Sequence, residues 1–179
     1  MRKLIAQELV SLDGFFSGAN GEIDWHIVDD EYTEYALDLL NSVSMLLFGR
    51  VTYQLMASYW PNESNEIAHK MNSLQKIVFS KTLESVVWKN TKIVSDSYID
   101  EIQTLKQQPG KDLLILGSAE LVSFLLNKGL IDELHLTVVP IVLGSGKPLF
   151  REMQNRMKIT LFKSKTLGCG SVQLFYQTH

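Results

Sequence analysis

Two places in the sequence share one grammar: an apolar strand, a glycine, then the start of a helix. They are Phe48-Gly49-Arg50-Val51-Thr52 and Leu116-Gly117-Ser118-Ala119. Glycine lets an anion approach the backbone closely, and a helix start offers unpaired N–H groups and a partial positive charge. Either turn alone is what any α/β protein needs between a strand and a helix. One exposed helix terminus holds a charge with only about 0.3–1 kcal/mol, whereas micromolar binding needs about 8 kcal/mol. A phosphate-bearing ligand therefore requires several such contacts at one edge. Arg50 adds a cation suited to phosphate. Ser80-Lys81, closing the apolar run "KIVFS", adds a hydroxyl and a second cation. If these strands are parallel neighbours, their carboxyl ends converge where open α/β sheets bind ligands.

Acid chemistry concentrates in "EIDWHIVDDEY", where Asp24, Asp29, Asp30 and Glu31 crowd a loop and a helix start. Most of them suit capping and solvation. One carboxylate lining an apolar pocket beside Trp25 would have its pKa raised and could hold, and help protonate, a nitrogen heterocycle. Spacing alone does not choose which. No metal is expected. The histidines His26, His69, His135 and His179 have no partner at ligand spacing, and His135 alternates with Leu134 and Leu136 as a strand residue does. A single cysteine, Cys169, excludes an internal disulfide and any multi-cysteine metal site. The GxGxxG fingerprint is absent, so a Rossmann domain is not expected, and neither a Walker sequence, HExxH nor GxSxG occurs.

Alternating elements must position these groups. The pattern predicts a strand over 3–10, a polar loop from Ser11 to Asp24, and a helix from about Asp30 with Tyr32, Tyr35, Ala36, Leu39 and Val43 on one stripe. Next come a strand at Met45–Phe48, a helix over Val51–Ala57, a loop from Pro61 to Asn65, a helix over Glu66–Ser73 and the strand "KIVFS". Short extended pieces follow near Val86-Val87 and Lys92–Val94, then a helix over Tyr98–Gln107 that ends before Pro109-Gly110. Leu113–Leu116 reads as a strand covered on both faces. Ser118 can cap the helix after it, and Lys128-Gly129 close that helix. "IDELHLTVVPIVLG" and two alternating runs, hinged at the glycines around Cys169, supply the last strands. Strands and helices alternating early, then strands alone, imply a mixed sheet with helices on both faces, in a single domain over 1–179.

The bulk composition agrees with that frame. The chain has 179 residues, 45% hydrophobic and 21% charged, as a globular domain does. A net charge of −3 without any basic run argues against a nucleic-acid partner. In "MRKLIAQELVSLDG", Gln7, Glu8 and Asp13 interrupt any apolar core, so neither a signal peptide nor a membrane span is expected. A soluble cytoplasmic protein is the economical reading.

The order and spacing of "SLDGFFSG", "FGRVTYQ", "IVFSKTL", "LLILGSAELVSFLL" and "GLIDELHLTVVPIVLGSGKPLF" resemble the dihydrofolate reductase superfamily, in the branch that contains the reductase domain of the bifunctional riboflavin-biosynthesis deaminase-reductase. The resemblance implies a dihydrofolate reductase-like three-layer α/β/α fold, with a central mixed sheet of about eight strands, an NADPH cleft and a homodimer. It implies hydride transfer from NADPH to a pyrimidine- or pterin-like heterocycle, as in 5-amino-6-(5-phosphoribosylamino)uracil reductase. Dihydrofolate reduction and a non-catalytic nucleotide-binding module are the alternatives.

By the same resemblance, Gly49, Arg50 and Thr52 form the first phosphate-binding turn. Ser80 and Lys81 stand near the adenosine 2′-phosphate. Gly117, Ser118 and Ala119 form the turn over the pyrophosphate and nicotinamide, and Asp13 and Gly14 lie in the loop closing beside nicotinamide and substrate. Trp25 and Asp30 take the places of the tryptophan and the substrate-binding carboxylate, with Asp29 as the rival acid and Thr137 beside it. Two departures stand out: Ser118 replaces the second glycine of the family turn, and Phe15 follows "SLDG" where Lys or Arg is usual. Phe15 and Phe16, with Trp25, suggest an apolar lip at the substrate.

Overall fold

The computed structural model describes residues 1–178. In chain order the elements are β1 (Leu4–Ser11), β2 (Phe15–Ser17), α1 (Asp30–Ser42), β3 (Val43–Gly49), α2 (Arg50–Tyr59), α3 (Glu66–Ser73), β4 (Gln75–Phe79), β5 (Thr91–Val94), α4 (Tyr98–Gln107), β6 (Asp112–Leu116), α5 (Ala119–Asn127), β7 (Glu133–Val139), β8 (Lys147–Pro148), β9 (Thr160–Thr166) and β10 (Val172–Gln177). Eight strands form one sheet in the order β5-β4-β3-β6-β1-β7-β10-β9, while β2 and β8 pair separately. Pairing is parallel from β5 to β7, and β10 runs antiparallel to both of its neighbours. The sheet is mixed, with β10 alone reversed.

Period-two alternation sends successive side chains to opposite faces, so the near-continuous apolar strands need cover on both sides. Leu47, Ile77, Leu113 and Ile115 meet Ile102 and Leu105 of α4 and Leu121, Val122 and Leu125 of α5. Leu46, Phe48, Val78 and Leu114 meet Leu39 and Leu40 of α1, Tyr53 of α2 and Met71 of α3. Each such fully buried side chain contributes about 1.5–3 kcal/mol, which makes the central strands a rigid base for their carboxyl ends.

Four local readings differ. Val43 is the first residue of β3, because α1 passes into the strand with no loop and its stripe simply continues. The polar loop after β1 contains β2, which pairs with the distant Lys147-Pro148. The Val86-Val87 stretch forms no strand: Val87 is 84% exposed, and the Val87 and Trp88 amides donate to the Tyr53 hydroxyl. β7 stops at Val139, because Pro140 has no N–H to continue the ladder.

The chain steps outward from β1 through β3 and β4 to β5, returns to insert β6 between β3 and β1, and then crosses to β7. The order of strands therefore reverses around β6 and β1, and ligands bind outside the carboxyl ends at such a switch point. Among the described residues, no helix is long and apolar enough to cross a membrane.

Candidate functional site

A cleft of about 1050 Å³ opens at that switch point. Gly49, Arg50 and Thr52 line it from the β3–α2 turn, Ser80 and Lys81 from the end of β4, and Gly117, Ser118 and Ala119 from the β6–α5 turn. β3 is the parallel neighbour of both β4 and β6, which brings the three ends together. Both glycines are closely approached by side chains of the neighbouring turn. A Cβ at Gly49 would overlap the Ser118 hydroxyl, and one at Gly117 would stand 2.9 Å from Thr52 Cγ2.

The two helix starts differ in what they leave free. At α5 the Ser118 hydroxyl accepts from the Leu121 amide, and Glu120 occupies the first turn. At α2 Gly49 supplies no side-chain cap and no acid follows, so the first-turn amides are left free for an anion, with Arg50 at the first position of the helix. The Ser80 hydroxyl accepts from the Thr82 and Leu83 amides, which leaves its O–H as a donor. Lys81 is exposed. Two further cations on the cleft, Lys147 and Arg151, escaped the sequence reading. Lys147 sits on the two-residue β8, and only its pairing with β2 brings it there.

Of the aromatic lip, Phe16 lines the cleft, whereas Phe15 and Trp25 lie outside its lining. The Trp25 indole N–H donates to the Glu22 carbonyl. The expected acids, Asp29 and Asp30, are also outside the lining, and Asp29 is engaged elsewhere. Asp29 caps α1, taking the Tyr32 amide at 2.8 Å on Oδ1 and the Cys169 amide at 3.1 Å on Oδ2. These hydrogen bonds hold its pKa below the ordinary value. Asp30 is exposed in the first turn of α1. Thr137 is buried mid-strand in β7, between Leu9 and Gln173.

Asp13 binds the loop after β7. It accepts from the Ser11 hydroxyl and from the Leu143 and Gly144 amides, and the Leu149 amide donates to the Gly14 carbonyl. "SLDG" and "VLGSGKPLF" are thus two halves of one clasp, and neither Asp13 nor Gly14 lines the cleft. His179 lies outside the described residues.

The cleft holds other titratable groups. Glu8 of β1 lines it at 1% exposure, with neither carboxyl oxygen closing a hydrogen bond among the described residues. Burial pushes this carboxyl well above the ordinary range, and the Gly117 amide offsets that only in part. His26 lines the cleft with Nε2 buried and without a partner. Its ring stands edge-on to Trp25 with centroids 4.5 Å apart, and burial lowers its pKa to about 4. The Tyr32 hydroxyl accepts from the Gln7 side-chain amide and is held protonated by burial. The signal for Glu8 lies in "LIAQELVS": a polar pair within a strand that is apolar on both faces.

Residues 2–173 match the RibD C-terminal domain. The uncharacterized protein YyaP of Bacillus subtilis (strain 168) is 35% identical over 180 residues, covering 98% of this chain and 94% of its own. Among solved structures, a candidate riboflavin biosynthesis protein from Shewanella sp. PV-4 has a TM-score of 0.80 at 25% identity, covering 99% of each chain. The dihydrofolate reductase of Enterococcus faecalis, complexed with NADP(H), has a TM-score of 0.68 at 14% identity over 98% of this chain and 95% of its own, a likeness of fold. The architecture is the dihydrofolate reductase-like α/β fold.

Proposed function

The chain belongs to the RibD C-terminal domain family, and on that premise we propose that it is an NADPH-dependent reductase acting on a pyrimidine- or pterin-like heterocycle. The observation that carries this reading is the meeting of three strand ends on one cleft, with a closely approached glycine at two of them. The residues present fit the cofactor. The free amides of α2, with Arg50 and Thr52, would hold its pyrophosphate. Ser80 and Lys81 would hold the 2′-phosphate, and the Gly117-Ser118-Ala119 turn would border the nicotinamide. When bound, NADPH supplies hydride to a C=N or C=O bond.

The default substrate class is 5-amino-6-(5-phosphoribosylamino)uracil, a pyrimidine with a ribose phosphate. Lys147 and Arg151 on the cleft favour a phosphorylated substrate, and an apolar box of Phe15, Phe16 and Trp25 does not line it. A homodimer through the C-terminal strands and the segment 140–150 completes the proposal. Its support is β9, an edge strand whose seven residues are all exposed, Leu161 and Phe162 among them.

Thermal unfolding tests the cofactor. A ligand at 100 times its Kd stabilises by about 2.7 kcal/mol, so NADPH is expected to raise Tm clearly, NADH much less, and K81A to narrow the gap. Equal shifts for the two would remove the role given to Lys81. Oxidation of NADPH with 5-amino-6-(5-phosphoribosylamino)uracil or dihydrofolate tests the reaction. Binding of NADPH without turnover on a broad panel of heterocycles would leave a nucleotide-binding module instead.

A further inference from the structure

A buried acid must either find a partner within the fold or keep its proton. Glu8 lies beside Leu136 of β7 on one flank. On the other flank β6 has already ended, since its last residue, Leu116, stands opposite Gln7. The strand that would have covered Glu8 is replaced by the Gly117 turn, and the residue opens on the cleft while remaining 1% exposed. The Gly117 amide acts on the carboxyl without closing a hydrogen bond. The remaining carboxylates on the cleft are placed differently. Asp96 and Asp100 are exposed, and Glu120 is exposed and paired with Arg151 at 3.4 Å.

We propose that Glu8, rather than Asp29 or Asp30, is the acid of this cleft, hydrogen-bonding the bound heterocycle and passing its proton to a ring or imine nitrogen. The proposal rests on the reductase reading above. An un-ionised carboxyl presents an O–H donor beside a carbonyl acceptor. The matching edge is an sp² nitrogen next to an N–H, as an aminopyrimidine carries. In the step, carbon of the C=N bond gains the hydride that the reduced nicotinamide gives up, nitrogen gains the Glu8 proton, and the C=N π pair becomes the new N–H bond. The Glu8 carboxylate then regains a proton from water.

The titratable groups sharing the cleft are Tyr32 and Tyr35 from α1, His26 from the preceding loop, and Lys147 from β8. Glu120, paired with Arg151, and Arg50, Lys81, Asp96, Tyr98 and Asp100 complete the set. Burial holds Tyr32 protonated, and the neighbouring Glu8 acts in the same direction.

The test is E8Q, which keeps volume and hydrogen-bonding capacity but has no proton to give. With 5-amino-6-(5-phosphoribosylamino)uracil or dihydrofolate, NADPH oxidation should fall by about 100-fold or more and lose its alkaline limb, while the NADPH-induced rise in Tm is kept. An unchanged rate and pH profile overturns the proposal, and so does a loss of NADPH binding that matches the loss of rate. If the wild type turns over neither substrate, the substrate reading fails, and Glu8 is judged by 2,4-diaminopyrimidine. The wild type should bind that base in its protonated form by ultraviolet difference spectrum, and E8Q about tenfold or more weakly. No saturable binding, or equal binding to both, overturns the proposal. Should E8Q not fold, wild-type protein is read by infrared at neutral pH. The band of a protonated carboxyl must be present and must disappear on adding the diaminopyrimidine; its absence overturns the proposal.

Discussion

Asp29 and Glu8 are both carboxylates of the first 30 residues, one outside the cleft lining and one on it. Asp29 spends an oxygen on each of two backbone amides and ties α1 to the turn at Cys169. The Glu8 carboxyl closes no hydrogen bond among the described residues, with only the Gly117 amide acting on it. Hydrogen bonds pull the first pKa down and burial pushes the second up, so the fold favours the charged form of one and the protonated form of the other. The difference teaches that free hydrogen-bonding capacity, and not the local density of acids, marks a group available to a ligand. Asp13, gripping the Leu143 and Gly144 amides, belongs with Asp29.

The largest effect that could break this contrast is in stability against pH. Glu8 keeps its proton in the fold to higher pH than in the unfolded chain, so the native state binds more protons above about pH 4.3. Stability contributed by this group is full below that value and is lost as pH rises towards the raised pKa, by about 1.4 kcal/mol per pH unit. E8Q has nothing to lose there. Urea unfolding from about pH 4 to 8 should show E8Q gaining steadily on the wild type as pH rises. A difference constant with pH would place Glu8 with the ordinary acids.

A smaller effect of opposite sign is expected at Asp29. Its folded pKa is depressed, so its contribution is present above the unfolded value, near 3.8, and is lost as pH falls through the folded one. D29A should lower Tm at neutral pH, converge on the wild type in acid, and leave the NADPH shift and turnover unchanged. Loss of turnover beyond the loss of folded protein would return Asp29 to the chemistry.

The two acids also differ in how far sequence reveals them. The limits expected for the helices over 66–73 and 98–107 are those observed, because Asn65 and Pro109-Gly110 are local signals. The strand–glycine–helix turns are equally local, and the residues read from them line one cleft. The acid is a non-local matter. Asp29 and Asp30 have the spacing of a familiar loop, but the Cys169 amide that engages Asp29 comes from the hairpin between β9 and β10. The vacancy beside Glu8 exists only because β6 ends one residue early between two other strands. In the linear chain Gln7-Glu8 merely interrupts an apolar run. Lys147 is hidden in the same way, reaching the cleft through a two-residue strand paired far along the chain.

Ser118 supplies the smallest and finest test, since it is engaged, like Asp29, yet stands on the cleft, like Glu8. Its backbone sits at φ 89 and ψ 84, a region glycine enters freely and serine does not. Its hydroxyl caps α5 through a long bond of 3.4 Å to the Leu121 amide while lying against Gly49. S118G removes strain of about 1–3 kcal/mol and gives up a cap whose replacement by glycine costs only a few tenths of a kcal/mol. Glycine also gains entropy in the unfolded chain, which offsets roughly 0.4–1 kcal/mol of the relief. A net rise of about 1 kcal/mol in unfolding free energy is expected, with the NADPH shift unchanged, because the α5 amides stay where they are. A fall in stability would mean that the hydroxyl is committed to the fold as firmly as the Asp29 carboxylate. Gained stability with weakened NADPH binding would mean that the strained turn serves the ligand, and would set Ser118 beside Glu8.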